Sequence, residues 1–301
     1  MRSDKFKGYF FVLVATLAFS NVYIFSKAAL NQVHLAQFGV YWFAISSVLI
    51  LLFSIRNKKL AQVKLLTKRQ IRVLLVLGVL EILTTTSFFL SIHIIPDPSV
   101  TSFLGNMYPV MVAFGGVFIL GEKFGPIETF GAVIAIVGAF IISYTGETSL
   151  AKLFIPGTGM VFINAIFATA ATLVVKVHVK KMSPEILNLN RSVWLFVFSL
   201  IMLFYFQQPF VIPFSALKNI AVGALLGPFL AILTVYYSFS YIDASRSSIV
   251  QSLKGIFVLI GAYMLFGTFP LTHQIWGGMI TIAGVIIMAF ARAGKSSKMK
   301  T

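Results

Sequence analysis

Long apolar runs alternate with short polar segments along nearly the whole chain. A helix needs about 20 mainly apolar residues to cross the hydrocarbon core of a bilayer. Proline and glycine mark most junctions between the runs. The pattern predicts ten membrane-spanning helices, at residues 8–30, 36–54, 73–94, 100–120, 127–144, 158–175, 186–206, 220–241, 249–266 and 274–291.

Composition agrees with a membrane protein. Apolar residues make up 58% of the chain and charged residues 11%, whereas a soluble domain carries about 25% charged residues. Mean hydropathy is +0.95, and no loop is long enough to hold a soluble domain. The absence of cysteine excludes disulfides, thiolate metal sites and cysteine nucleophiles within this sequence.

The distribution of positive charge along the chain indicates how the protein is oriented in the membrane. The 24 Lys and Arg outweigh the 8 Asp and Glu to give +16, which on a soluble chain would indicate nucleic-acid binding. Here the basic clusters lie in short loops, as expected of cytoplasmic loops in a membrane protein. An even number of spans puts both termini on the side of these clusters, while the opposite side has only Lys27, Lys152 and Lys218. We predict cytoplasmic termini and no nucleic-acid partner.

The two halves of the chain align on each other. Residues 131–142 match residues 277–288 at a constant offset, and the same offset pairs Ser102 with Ser248. Five spans per half is an odd number, so the second half must insert in the opposite orientation. The predicted fold is therefore an all-α integral membrane protein of two inverted five-helix repeats, residues 1–150 and 151–301. This architecture is typical of secondary carriers that bind substrate between the repeats, although a duplicated bundle without transport is an alternative.

Short motifs in both halves resemble a known family. They are Ser-Asn-Val-Tyr-Ile-Phe-Ser-Lys at 20–27, Tyr-Pro-Val at 108–110, Leu-Gly-Glu at 120–122, and Gly131. Together they resemble the EamA branch of the drug/metabolite transporter superfamily over essentially the whole chain. The resemblance implies ten helices in two inverted repeats, location in an inner or plasma membrane, and export of amino acids or other metabolites.

The chain departs from that family's pattern at several positions. Ala18-Phe19 replaces a Trp-Gly pair, Thr268 stands where an acid is expected, and Lys254-Gly255 stands where proline is usual. The arginine near the start of the family's second helix has a counterpart only in the second half, at Arg191. These departures concern the substrate class and leave the expected fold unchanged.

Two ionisable residues lie deep within predicted spans, where charge costs at least about 2.5–3.5 kcal/mol. Glu81 and Lys254 are each roughly 12–14 Å from the cytoplasmic edge at 1.5 Å per residue. Their similar depth and opposite charge make them candidate partners. Glu81 alternatively binds a substrate amine or the coupling proton, or is neutral and hydrogen-bonded, and Lys254 alternatively binds a carboxylate or phosphate. A carrier of zwitterionic amino acids requires both charges at one depth.

Further polar and aromatic residues are predicted to contact substrate because lipid cannot satisfy polar groups. For asparagine, hydrogen bonding between helices is an equal alternative, and for Arg191 the alternative is a guanidinium that snorkels to the interface. The predicted binding set, beyond Glu81 and Lys254, is Asn21, Thr85, Asn106, Tyr108, Arg191 and Gln251. Pro109 and Pro228 are predicted to kink the fourth and eighth spans and to free carbonyls near the cavity.

The sequence contains no complete motif for nucleotide binding or metal binding. Gly294-Lys295-Ser296 resembles the end of a P-loop, but Ala289 replaces the required glycine and no strand precedes it. The four histidines are scattered without metal-ligand spacing. We expect no cofactor, no metal and no enzyme activity.

The leading hypothesis is that the protein is a secondary active transporter that exports small metabolites by alternating access, with amino acids as the first substrate class to consider. The alternatives are an exchanger of phosphorylated metabolites or nucleotide sugars, with Glu81 as a structural counter-charge, and a non-transporting membrane scaffold. The expected partners are a small-molecule substrate and the bilayer. Proton coupling through Glu81 is one option for the energy source, and the chain is expected to act as a monomer or weak dimer.

Overall fold

The computed structural model describes residues 2–120, 125–146 and 154–298. In these residues the regular structure is helical, apart from one isolated antiparallel bridge between Tyr144 and Phe154. The motif residues Gly121 and Glu122 lie outside the described residues. The α-helices are α1 (Arg2–Leu30), α2 (Leu35–Arg56), α3 (Lys68–Ile94), α4 (Pro98–Leu104), α5 (Met107–Leu120), α6 (Pro126–Ser143), α7 (Thr158–His178), α8 (Pro184–Tyr205), α9 (Phe214–Ala224), α10 (Ile232–Tyr241), α11 (Ala244–Gln251), α12 (Lys254–Phe266) and α13 (Thr272–Lys298).

The outer surface of the bundle is apolar. Side chains such as Leu52, Phe130 and Met264 are exposed by 59%, 61% and 76%, which favours contact with lipid over contact with water. Eight helical segments of the described chain are long and apolar enough to cross a membrane, and Thr272–Met288 is a shorter apolar helix. The chain is therefore a multi-pass integral membrane protein.

The fourth predicted span is broken in the middle. Residues 100–120 were expected to form one helix, but α4 ends at Leu104 and α5 begins at Met107. Pro109 lies in the first turn of α5, and because it has no backbone N–H it cannot donate the helical hydrogen bond to the Gly105 carbonyl four residues earlier. The break places the Gly105–Asn106 turn deep inside the bundle, where Asn106 is fully buried.

The ninth predicted span is broken at the equivalent position. Residues 249–266 were also expected to be continuous, yet α11 ends at Gln251 and α12 begins at Lys254. No proline is present here, because Gly255 occupies the position that aligns with Pro109. The side chain of Phe103 packs where a Cβ on Gly255 would lie, 2.8 Å away, so the two broken helices cross closely. The break thus occurs at equivalent positions of both halves, although only the first half has the proline.

A widened segment interrupts the eighth span. Residues Leu225–Ala231 form a π-helix between α9 and α10, with Pro228 inside it. Because a proline cannot continue the normal hydrogen-bond pattern, the turn around it widens. The Pro228 carbonyl accepts a hydrogen bond from Asn188 Nδ2 at 2.8 Å, which joins this segment to α8.

The glycine-rich helices of the two halves pack directly on each other. A Cβ on Gly131 would lie 2.7 Å from the Gly284 carbonyl oxygen, and a Cβ on Gly277 would lie 2.8 Å from the Gly138 carbonyl oxygen. In the repeat alignment Gly131 corresponds to Gly277 and Gly138 corresponds to Gly284. In the structure the contacts are crossed, because Gly131 contacts Gly284 and Gly138 contacts Gly277. The two equivalent helices run antiparallel and contact each other through the same faces.

The other helices follow the same reciprocal pattern. Helix α2 packs on its counterpart α8, and α1 packs on α9 and α10 just as α3 packs on α7. Helix α4 packs on α12 while α5 packs on α11. Such mutual contacts are those of an isologous interface, in which one surface is used by both halves.

Adding a methyl group to Gly284 is expected to destabilise the protein. A Cβ at this position has no room, since backbone atoms of α6 lie within 2.6 Å of it, and overpacking costs about 1–3 kcal/mol. We expect Gly284→Ala to lower the thermal unfolding midpoint in detergent. The matched control is Gly159→Ala in α7, where nothing lies within 4 Å of the added Cβ, and an equal loss in both variants would contradict the packing described here.

Candidate functional site

A cavity of about 160 Å³ lies in the middle of the helix bundle. Its wall is formed by both halves of the chain and includes both helix breaks and the π-helical segment. Aromatic and aliphatic side chains form most of the wall, and three charged residues project from it: Glu81, Arg191 and Lys254. The lining residues are Phe19, Val22, Tyr23, Trp42, Glu81, Thr84, Thr85, Phe88, Phe89, Gly105, Tyr108, Asn164, Ala168, Ala171, Thr172, Arg191, Gly227, Pro228, Ile232, Val235, Tyr236, Phe239, Gln251 and Lys254.

Glu81 forms a buried ion pair with Arg191. The Arg191 Nε donates to Glu81 Oε2 at 2.7 Å and its Nη2 donates to Thr85 Oγ1 at 2.9 Å. The hydroxyl of Tyr236 donates to the other carboxylate oxygen of Glu81 at 3.1 Å. Both charged side chains are at most 10% exposed. The pair fixes α3 to α8 and α10 inside the bundle.

This arrangement bears on two alternatives that the sequence left open. Lys254 was a candidate partner of Glu81, beside a substrate amine or a proton, but the ion-pair partner of Glu81 is Arg191. Arg191 was assigned snorkelling to the membrane interface as the alternative to substrate contact, but its side chain is buried and turned to the cavity. Glu81 and Lys254 line one cavity, but the sequence did not identify which helices are neighbours: α3 packs on α8, whereas α12 packs on α1 and α4.

Lys254 is the uncompensated charge of the cavity. It is 8% exposed, and it forms no hydrogen bond or ion pair with any part of the chain that the structure describes. Since the Glu81 and Arg191 charges cancel each other, the three charged lining residues together leave one net positive charge. Arg191 Nη1 adds a buried donor without a protein partner. Burying such charge and donors unpaired is costly, so the cavity is suited to an anionic group.

The cavity is lined by equivalent positions of the two halves. The offset that aligns Gly131 with Gly277 also pairs Tyr108 with Lys254, Gly105 with Gln251, and Glu81 with Gly227, and all six residues line the cavity. Helix α1 aligns with α7 so that Phe19, Val22 and Tyr23 fall on Ala168, Ala171 and Thr172, which also line it. The cavity therefore lies between the halves, with shared backbone positions and different side chains.

The remaining predicted residues fall into two groups. Thr85, Tyr108 and Gln251 line the cavity, with the Tyr108 hydroxyl within 2.7 Å of Thr172 Oγ1. Asn21 does not: its side chain is exposed and donates to the Leu17 carbonyl of its own helix at 2.9 Å. The predicted role of Asn21 in binding is therefore not supported by its position.

Asn106 is likewise not a lining residue. It is fully buried at the break between α4 and α5, and neither its Oδ1 nor its Nδ2 has a hydrogen-bond partner in the described structure. The adjacent residue Gly105 lines the cavity, whereas Asn106 does not. Its predicted contact with substrate has no support in this arrangement.

Sequence reasoning missed Tyr236 and Thr172. Tyr236 completes the hydrogen bonding of Glu81, and Thr172 pairs with Tyr108. A tyrosine in an apolar run carries no distinctive signal, although the alignment of α1 with α7 matches Thr172 with Tyr23 of the family-like segment.

Two other polar or aromatic side chains make contacts between helices. Asn164 forms a hydrogen bond to the Thr84 carbonyl at 2.8 Å. Trp194 packs over Gly78 and does not line the cavity.

Two structurally equivalent halves that enclose a partly charged central cavity define a class of membrane proteins that bind small molecules within the bilayer. The model of the EamA-like transporter family matches residues 6–144 and again residues 155–290. The chain belongs to the EamA-like transporter family. Members of this family are membrane transporters of small molecules, and the family is the one that the sequence motifs resembled.

A protein of known crystal structure shares the fold. It superposes with a TM-score of 0.67 over 97% of this chain and 98% of the other, at 15% sequence identity. Identity this low supports the fold and carries no information on the substrate. No curated protein sequence matches the chain at a significant level.

Breaking the Glu81–Arg191 pair from one side is expected to destabilise the protein strongly. Arg191→Met leaves the Glu81 carboxylate buried without its cation, a change that typically costs about 3–5 kcal/mol. The double variant Glu81→Gln/Arg191→Met removes both charges and is expected to recover much of this loss in thermal unfolding measurements.

The control is Arg246→Gln, which removes the more exposed ion pair with Asp243 at 3.6 Å and should change stability by less than about 1 kcal/mol. Additive losses in the double variant would show that the two buried charges are not coupled.

Proposed function

We propose that this protein is a secondary active transporter that moves small amphipathic metabolites out of the cell by alternating access, with amino acids as the leading substrate class. The observation that carries the proposal is the central cavity with an unpaired Lys254 and largely apolar walls. A buried ammonium group without a partner gains most from an anionic ligand group. The aromatic and aliphatic wall then binds the apolar part of the same molecule.

The cavity wall offers contacts for both parts of such a substrate. Lys254 and the Nη1 of Arg191 are donors for a carboxylate. Aromatic rings line the same wall, where Trp42 and Phe89 have ring centroids 5.5 Å apart and Phe88 and Phe89 have centroids 5.0 Å apart. A molecule with one anionic group and one apolar part fits these two kinds of contact.

Glu81 remains the candidate for the substrate amine and for the coupling proton. Its carboxylate accepts hydrogen bonds from Arg191 and Tyr236, and a carboxylate has about four acceptor positions in all. An amine or a proton arriving at Glu81 competes with Arg191 for that charge. This competition provides a physical link between binding in the cavity and the contact between α3 and α8.

The proposed membrane arrangement has ten spans in two inverted repeats, residues 1–150 and 151–301, with both termini cytoplasmic. Support comes from the reciprocal antiparallel packing of α6 with α13 and from the basic clusters in alternate loops. In this count each broken helix pair, α4 with α5 and α11 with α12, makes one span. One chain supplies both halves of the cavity, so a monomer or weak dimer in the inner or plasma membrane suffices.

A second candidate, exchange of phosphorylated metabolites or nucleotide sugars, is favoured by one observation. That function requires Lys254 and Arg191 as anion ligands and Glu81 as a structural counter-charge, and Glu81 does hold Arg191. Against it, neutralisation of Arg191 leaves one net positive charge for a phosphate of nearly two negative charges. A non-transporting scaffold has no use for an unpaired lysine facing a cavity.

Counterflow in proteoliposomes tests the substrate class. Vesicles preloaded with a mixed amino-acid pool should take up a labelled amino acid, and Lys254→Met should abolish this uptake because the carboxylate loses its cation. Lys218→Met, which changes an exposed lysine, is the matched control and should transport normally.

Uptake that occurs only with a phosphate-ester preload would support the exchanger instead. Failure of both pools in folded, correctly inserted protein would refute the transport proposal.

Orientation is testable with single cysteines, since the chain has none of its own. Lys181 and Val211 are exposed at opposite ends of α8. With cytoplasmic termini, Val211→Cys should react with an impermeant thiol reagent in intact cells, and Lys181→Cys only after permeabilisation. The reverse pattern would invert the proposed topology.

A further inference from the structure

A buried lysine outside the cavity joins the end of α1 to the end of α3 and to the turn that follows it. Lys27 lies in the last turn of α1 and is 7% exposed. Its Nζ donates to the carbonyl oxygens of Ile92, His93 and Ile95 at 2.9, 3.1 and 2.9 Å. These carbonyls close α3 and belong to the turn that leads into α4. We call Lys27 with these three carbonyls the first clamp.

The second half has an equivalent lysine. Lys176 lies in the last turn of α7, and its Nζ donates to the carbonyl oxygens of Phe239 and Ile242 at 2.8 and 2.6 Å. Asp243 lies 4.0 Å from the same ammonium group. These groups close α10 and lead into α11. Lys176 with Phe239, Ile242 and Asp243 is the second clamp.

The two clamps are related by the internal repeat. The alignment that places Phe19 on Ala168 and Tyr23 on Thr172 also places Lys27 on Lys176. Each clamp ends immediately before a broken helix, and an aspartate occupies the N-cap position of that helix: Asp97 for α4 and Asp243 for α11. Since α4 with α5 and α11 with α12 contribute the two helix breaks to the cavity wall, each clamp holds the start of a cavity-lining element.

The clamps occupy equivalent positions in the two halves. The equivalent helices α6 and α13 are antiparallel, so in the proposed inverted arrangement the two clamps face opposite sides of the membrane. Both clamps are formed in this structure, and the cavity charges of Glu81, Arg191 and Lys254 are all at least nine-tenths buried. The two halves thus carry the same kind of lysine-to-carbonyl contact at equivalent positions.

A lysine that caps helix carbonyls also stabilises a fold without any role in gating. The difference lies in which helices the contact joins. Lys27 caps α3 from α1, and Lys176 caps α10 from α7, so separation of either pair of helix ends uncovers carbonyl groups and an ammonium group together. Within a bundle in lipid, these groups become satisfied again only when water enters.

From this geometry we infer that the two clamps are the gate contacts of the transporter, and that the cavity opens to one side through release of the clamp on that side alone. The inference rests on the proposed transport function. Release of a clamp lets water reach the freed carbonyls, the ammonium group and the cavity in one step. Because the other clamp stays closed, the cavity opens to one side at a time.

The test measures access to the cavity from each side without any substrate. Ala168→Cys supplies a single thiol in the cavity wall, and an impermeant charged thiol reagent is applied separately to the two faces of oriented vesicles. The Ala168→Cys variant is then combined with Lys27→Met or with Lys176→Met, each of which removes one clamp and keeps the length of the side chain. Lys218→Met, an exposed lysine, is the matched control.

We expect Lys27→Met to raise the labelling rate about tenfold from the Lys27 side only, which corresponds to about 1.4 kcal/mol, and Lys176→Met to do the same from the Lys176 side only. Unchanged labelling in both variants, or an equal increase from both sides, would overturn the inference.

Where a methionine variant fails to fold, Lys27→Arg and Lys176→Arg keep the charge and alter the donor geometry. These variants should show a smaller change from the same side, and an absent or two-sided change overturns the inference equally. Failure of the transport proposal can be told apart from failure of the clamp inference. If the transport proposal fails, counterflow is absent while the clamp variants still increase labelling from one side. If the clamp inference fails, counterflow is normal and the clamp variants do not change labelling from one side only.

Discussion

Hydrocarbon offers no partner to a polar group, and this constraint accounts for the contacts of most charged side chains inside the bundle. Glu81 and Arg191 satisfy it by pairing across α3 and α8, and Lys27 and Lys176 satisfy it by donating to carbonyls at helix ends. Lys254 does not satisfy it within the described chain. A charge left unpaired in such surroundings is the clearest indication of where a ligand belongs.

The internal repeat places the same backbone features on both sides of the cavity. The helix breaks, the glycine-rich contact of α6 with α13, and the lysine contacts at the helix ends all occur twice. The side chains that line the cavity differ between the halves, as when Tyr108 is paired with Lys254. Equivalent scaffolding allows the two ends of the cavity to behave alike, while unlike side chains give a single site for one asymmetric substrate.

The broken helices show that one local structure occurs with and without its sequence signal. In the first half, Pro109 disfavours a continuous helix through Gly105. In the second half, Gly255 replaces the proline, Phe103 packs against this glycine, and the break is still present. A proline signal therefore identifies the break in one repeat and not in the other.

The sequence by itself determined the membrane location, the all-helical class, the repeat and the family, because these depend on hydrophobic run length, periodicity and short motifs. It also placed Glu81, Thr85, Tyr108, Arg191, Gln251 and Lys254 among the polar positions that face inward, and all six line the cavity. Only the tertiary structure decided that Glu81 pairs with Arg191 instead of Lys254, that Asn21 is exposed, and that Asn106 is buried at a helix break without lining the cavity. A residue's depth in the membrane follows from its position along one helix, whereas its partner depends on which helices are adjacent and how each is rotated about its axis, and packing of the whole bundle sets both.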